Sequence, residues 1–196
     1  MGEKETMYDD LKPSEQFKFP SELPKAGWHP AVCCQIHNIG HQMFGNTAST
    51  YPQVVFLFEL AAKRQEGDFK GQPFVLSEKM SNTLSKPDAK KRSNLTEMLS
   101  GWMGRDMTDS ERAAFSCRDM LYKDAYVNVK HETGKDQVIR AKIASIGPLP
   151  DGIQMVAPTF KETPKWITEA KAKATTPNQD GPRDNPPLPE EDSLPF

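Results

Sequence analysis

Four side chains able to ligate a transition metal, His29, Cys33, His37 and His41, recur at four-residue intervals. On a helix that row would line one face and suggest a metal centre. The stretch that carries its two middle members, 31–39, is instead rich in β-branched and apolar residues and reads as a strand. There, positions four apart are separated by over a dozen ångströms at roughly 3.3 Å per residue. No metal and no cofactor is therefore expected. The chain also has no Gly-rich phosphate loop, no nucleophile elbow and no clustered carboxylate set of the kind a two-metal nuclease needs, so the sequence points away from an enzyme. Cys33 and Cys34 are adjacent and Cys117 is distant, which gives neither an even disulfide framework nor a zinc spacing. A reduced, cytoplasmic protein is the simplest expectation.

The chemistry that remains is non-covalent. Single-stranded nucleic acid is held by stacking bases on exposed aromatic rings, worth roughly 1–3 kcal/mol per base, while Lys and Arg track the phosphates. The stacking candidates are Tyr51, Phe74 and Tyr126, each of which starts or interrupts a strand face. The basic candidates are Lys79, Lys130, Arg140 and Lys142, which alternate with apolar neighbours. To these are added Lys63 and Arg64 at the opening of a charged loop, and the cluster Lys90, Lys91 and Arg92. Against each stands a plainer reading: an aromatic in a strand is more often core, and a surface lysine more often only solvating. Phe56 and Phe58 are assigned to the core on that ground.

The elements that must position these residues follow from hydrophobic periodicity. A strand is expected over 31–39 and a second over 51–60, in which Val54, Phe56, Phe58 and Leu60 occupy one face and Val55 and Leu57 the other. Apolar residues on both faces suit a central strand. The charged stretch 61–72 should form a projecting loop, and 73–84 a third strand. The period then becomes helical: Leu95, Met98, Leu99 and Trp102 recur at three- and four-residue spacing, with Asp88 or Ser93 as cap and Gly104 as stop. Thr108 with Glu111 has capping-box spacing for a second short helix. Strands four and five are expected over 125–131 and 137–146, with Gly134 in the turn between them. Three strands, a helical insertion and a hairpin is the order of a five-stranded oligonucleotide-binding (OB) barrel, so the expected fold is mainly β, an OB barrel with a disordered acidic C-terminal tail.

The chain has 25 basic and 27 acidic residues, but they are not evenly spread. From Thr176 onward Arg183 is the only base against Asp180, Asp184, Glu190, Glu191 and Asp192. Together with the Pro-rich composition of both ends, this divides the chain into an N-terminal arm, 1–24, a single domain, 25–157, and a linker and tail, 158–196, within which 166–173 could form a short helix. Met1, Gly2 and Thr6 match an N-myristoylation pattern of low specificity, and no stretch approaches the roughly 18 apolar residues of a membrane span.

The last residues combine acids with a terminal Leu-Pro-Phe, so Phe196 offers an aromatic ring and a carboxylate together. Glu190, Glu191, Asp192, Leu194, Pro195 and Phe196 form a tip that resembles the C-terminal tip of bacterial and bacteriophage single-stranded DNA-binding proteins. Ser193 stands where that family more often has another acid. Within the core, 28–31, 53–60, 93–104 with its Gly-Trp-Met-Gly-Arg, and 141–150 with its Ala-Ser-Ile-Gly-Pro-Leu-Pro look like an OB-fold family of phage and prophage replication modules. The resemblance implies a sequence-tolerant single-stranded DNA-binding protein in phage replication or recombination. It also implies that the tip recruits replication or recombination proteins, and self-association is compatible with it. Two rival readings remain: an OB-fold protein-interaction adaptor that binds no nucleic acid, and a metal-dependent nuclease.

Overall fold

The computed structural model of the chain describes residues 22–43, 50–86, 88–153, 155 and 157–174. The arm as far as residue 21, the myristoylation pattern and the tip residues Glu190 to Phe196 lie outside the described residues.

Five strands build one antiparallel sheet: β1 (Gly27–Met43), β2 (Thr50–Lys63), β3 (Pro73–Ser81), β4 (Asp124–Thr133) and β5 (Ile139–Gly147). Their spatial order is β3-β2-β1-β4-β5. β1 is long enough to serve two partners. Its first residues pair with β4, from Gly27 opposite Val129 to Val32 opposite Asp124, and the rest pairs with β2, from Ala31 opposite Leu60 to Met43 opposite Thr50. Register shifts after Cys33 and after Asn38 bend it between the two. β1 and β2 extend beyond the spans expected from apolar runs, because ladder pairing continues through polar residues once a partner strand is present.

The expected closed barrel is not what forms. β3 and β5 are the two edges of the sheet, and they come into contact without pairing, so the sheet is curved but open.

Between β3 and β4 lie α1 (Asn94–Met103), α2 (Asp109–Ala114) and a 3₁₀ turn, Cys117–Met120. Ser93 caps α1, its hydroxyl accepting from the Thr96 N–H, and Gly104 ends the helix at φ 68°, a left-handed conformation that favours glycine. Thr108 and Glu111 form the expected capping box on α2. The 3₁₀ turn has the same kind of box, from Ser116 and Asp119, a signal the sequence carried and the periodicity search passed over.

Parity along the strands sorts the core. One face of the sheet turns Val54, Phe56, Phe58 and Leu60 of β2 and Ala125, Val127 and Val129 of β4 toward Leu95, Leu99 and Trp102 of α1. The Trp102 ring meets Phe58 edge to face at 5.2 Å, and its Nε1 donates to the Asp124 carbonyl at 2.6 Å. Burying each such side chain contributes roughly 1.5–3 kcal/mol.

The opposite face of β2 is also covered, by a part of the chain read from sequence as linker. α3 (Lys165–Ala172) lays Ile167, fully buried, on Cys34, Ile39, Val55 and Leu57. Just before it, the buried Glu59 carboxylate accepts hydrogen bonds from the Thr159 and Phe160 N–H groups at 2.7–3.1 Å and from the Thr159 hydroxyl at 3.0 Å. Gln42 Nε2 donates to the Ala170 carbonyl at 2.9 Å. The segment through Ala174 is therefore packed on the sheet.

Candidate nucleic-acid interface

With α3 over β1 and β2, the part of the outer sheet face that no other described element covers is formed by the first residues of β1 with β4 and β5. Cross-strand partners share a face. Trp28 stands opposite Asn128, Asn128 opposite Ser145, and Lys130 opposite Lys142. Tyr126 and Lys130 lie two residues either side of Asn128, while the intervening Val127 and Val129 are buried, so Trp28, Tyr126, Asn128, Lys130, Lys142 and Ser145 all point outward together.

Trp28 is 46% exposed and stacks on Tyr126 with ring centroids 5.0 Å apart and planes 17° apart. This is a rigid, half-exposed aromatic surface. Trp28 lies ahead of the first strand that the apolar runs predict, which begins at Ala31. The signal was present in the alternation Trp28, Pro30, Val32, but only pairing with β4 makes residues 27–30 a strand.

Beside the rings, Lys130 and Lys142 sit opposite each other, an arrangement that is repulsive unless an anion intervenes. Glu132 supplies it: its Oε2 is 3.1 Å from Lys142 Nζ and 3.7 Å from Lys130 Nζ. The hydrogen bond and charge of Lys142, with a smaller contribution from Lys130, hold the Glu132 carboxyl below the usual carboxylate range. Two cations thus share one directly paired carboxylate.

The other expected site residues do not converge on this patch. Arg140 is engaged by Asp136, which it meets with both guanidinium nitrogens at 2.8 and 2.5 Å; the pair holds the Asp136 carboxyl well below the usual range and stiffens the β4–β5 hairpin. Phe74 is corrected outright: it is buried at 4% exposure, and Arg64 lies over its ring at 4.5 Å from the centroid. Arg64 also donates to the Glu22 carbonyl at 2.8 Å, so that pair closes the end of the core. Arg92 is half-buried and tied to Ser100 and Asp106, each at 2.5 Å, pinning the segment before α1.

Tyr51 is 49% exposed at the start of β2, where Met43 opposite its neighbour Thr50 is also exposed. Lys79 is exposed on β3 opposite Val55, and Lys63 is exposed at the end of β2. Lys90 and Lys91 are exposed ahead of α1. None of these four lysines has an ion-pair partner among the described residues.

Nor do the four spaced His and Cys residues gather. His29 bonds the Lys25 carbonyl at 2.7 Å, Cys33 is buried in the core, and His37 bonds Gln35 Oε1 at 2.8 Å and Lys171 Nζ at 3.2 Å. Among the described residues no group of three or more His, Cys, Asp or Glu is placed to hold a metal ion. Burial pushes the Cys34 thiol up to about 12, with the Glu59 charge adding to the shift, and burial raises Cys33 further. Neither is a thiolate nucleophile near neutral pH. Among the described residues no helix is long and apolar enough to cross a membrane.

Comparisons with protein-family models, curated proteins and solved structures found no match to the chain.

Proposed function

We propose that this protein binds single-stranded DNA without strong sequence preference, on a variant of the OB architecture, and acts in phage DNA replication or recombination. The observation that carries the reading is the Trp28–Tyr126 stack beside Lys130 and Lys142. A half-exposed pair of rings offers base stacking, and the adjacent lysine pair offers phosphate contact. The element order supports the architecture: β1 is shared by two halves of the sheet, helices join β3 to β4, and the two edges approach each other. Exposed Met43 and Tyr51 at one hairpin, and Val138 and Ile139 at another, lie next to the loops that bind oligonucleotides in OB folds.

In this reading the acidic tip, Glu190 to Phe196, recruits replication or recombination proteins and carries no part of the DNA affinity. The test is an anisotropy titration of labelled oligo-dT, mixed-sequence single strands and duplex at two salt concentrations. Tight binding to single strands that weakens with salt supports the proposal. No binding at low salt refutes it and leaves the protein-interaction adaptor as the reading to pursue. Deleting 192–196 should leave or tighten DNA affinity while abolishing partner capture, and a truncation that loses DNA binding would sink the assigned division of labour.

A further inference from the structure

The two unpaired sheet edges do more than leave the barrel open. Between β3, β5 and α1 lies a cavity of about 370 Å³, lined by Glu78 and Met80 from β3, Glu97 and Met98 from α1, and Ile143 and Ile146 from β5 among others. Its β5 wall is shaped by a bulge: Asn128 pairs with Ser145 and Val129 with Ile143, so Ala144 is the extra residue and the strand bends there. Its α1 wall sits hard against β5, since a Cβ on Gly101 would stand 2.7 Å from the Ile146 carbonyl oxygen. The cleft is thus bounded by two strand edges and a helix packed closely on one of them.

The lining has a distinct chemistry. Its apolar surface is methionine and isoleucine, and methionine adapts its shape to an unbranched chain. Its only ionisable lining groups are the two carboxylates. Glu78 is half-buried, and that burial raises its carboxyl above the usual range, with Lys142 and Lys130 opposing the shift. Both lysines already share Glu132, so neither neutralises Glu78 by direct pairing. A phosphate backbone is repelled by such a cleft. An aliphatic stem ending in a cation fits it, the stem along the Met and Ile wall and the charge at the glutamates.

We propose that this cleft, which borders the aromatic patch and shares Ser145 with it, is a docking site for a lysine or arginine side chain presented by a partner protein. It does not depend on the DNA-binding reading.

The test uses the full-length chain, isotopically labelled, with amide NMR shifts followed during titration of three acetylated, amidated pentapeptides, Gly-Leu-X-Leu-Gly, in which X is Lys, norleucine or Glu. The Lys peptide should move amides of β3, β5 and α1 around the cleft and bind at least about tenfold tighter than the norleucine or Glu peptide. The variant with Glu78→Gln and Glu97→Gln should keep the fold, judged by its unperturbed spectrum, and lose that discrimination. Ala144→Trp, which fills the cleft from the strand, should block binding of all three. Equal binding of the Lys and norleucine peptides, shifts confined elsewhere, or discrimination that survives the double substitution would overturn the proposal. So would spermidine binding in the cleft where the Lys peptide does not, because that assigns the cation to a free polyamine.

Discussion

Trp28→Ala is the perturbation that most directly separates stacking from bulk charge. Nearly half of the indole is already in water, so the change leaves little hole in the fold. The folded state loses chiefly the stack with Tyr126, worth about 0.5–1.5 kcal/mol. The DNA complex loses one stacked base, about 1–3 kcal/mol, which is roughly a 5- to 150-fold rise in Kd. Trp28→Phe keeps a ring over Tyr126 and should recover most of that loss. Because no phosphate contact is removed, the slope of log Kd against log salt should be the same for all three proteins. The assay is anisotropy with labelled oligo-dT across a salt series, alongside thermal melts. A change of less than about twofold in Kd, in a variant that melts like the parent, would refute the assignment of this surface to DNA.

Lys130→Ala with Lys142→Ala should flatten the salt slope by about 1.4, two phosphate contacts at roughly 0.7 each, while Trp28 still contributes its stacking increment. Ile167→Ala opens a hole where the side chain is fully buried, ordinarily worth about 2–5 kcal/mol. The cost is capped by the docking energy of an eight-residue helix, so faster amide exchange confined to α3 and the β1–β2 face, with a small loss in global stability, is the expected hydrogen-exchange result. His37 is held below its ordinary pKa by burial and then by the Lys171 charge, so the unfolded chain takes up the proton first. Stability from this group is present above about pH 6.5 and is lost as pH falls through the lower folded value, and His37→Gln should remove that part of the pH dependence of the melting temperature. Gly101→Ala, which would gain about 1 kcal/mol on an open helix, should instead destabilise by urea titration because its Cβ meets the Ile146 carbonyl.

The sequence by itself determined the local elements and their faces. Alternation in 54–60 fixed which β2 residues meet, the three- and four-residue spacing from Leu95 to Trp102 fixed the buried stripe of α1, and Ser93, Gly104, Thr108 and Glu111 marked helix ends by side-chain chemistry that acts within a turn. Those signals are local, so they survive without knowledge of partners. Tertiary structure alone decided the rest. Trp28 joins the candidate interface because β4 pairs with 27–32 and turns it outward onto Tyr126, a contact across 98 positions in sequence that no local period encodes. Phe74 leaves it because its ring, with Arg64 over it, is buried on the face that it shares by parity with Leu76 and Met80. The segment from Thr159 to Ala174, expected as linker with a short helix over 166–173, is fastened to the sheet by one isoleucine and one buried glutamate. A weakly amphipathic stretch gains order when a preformed apolar face and a buried carboxylate are waiting for it, and composition counts only what the stretch itself contributes.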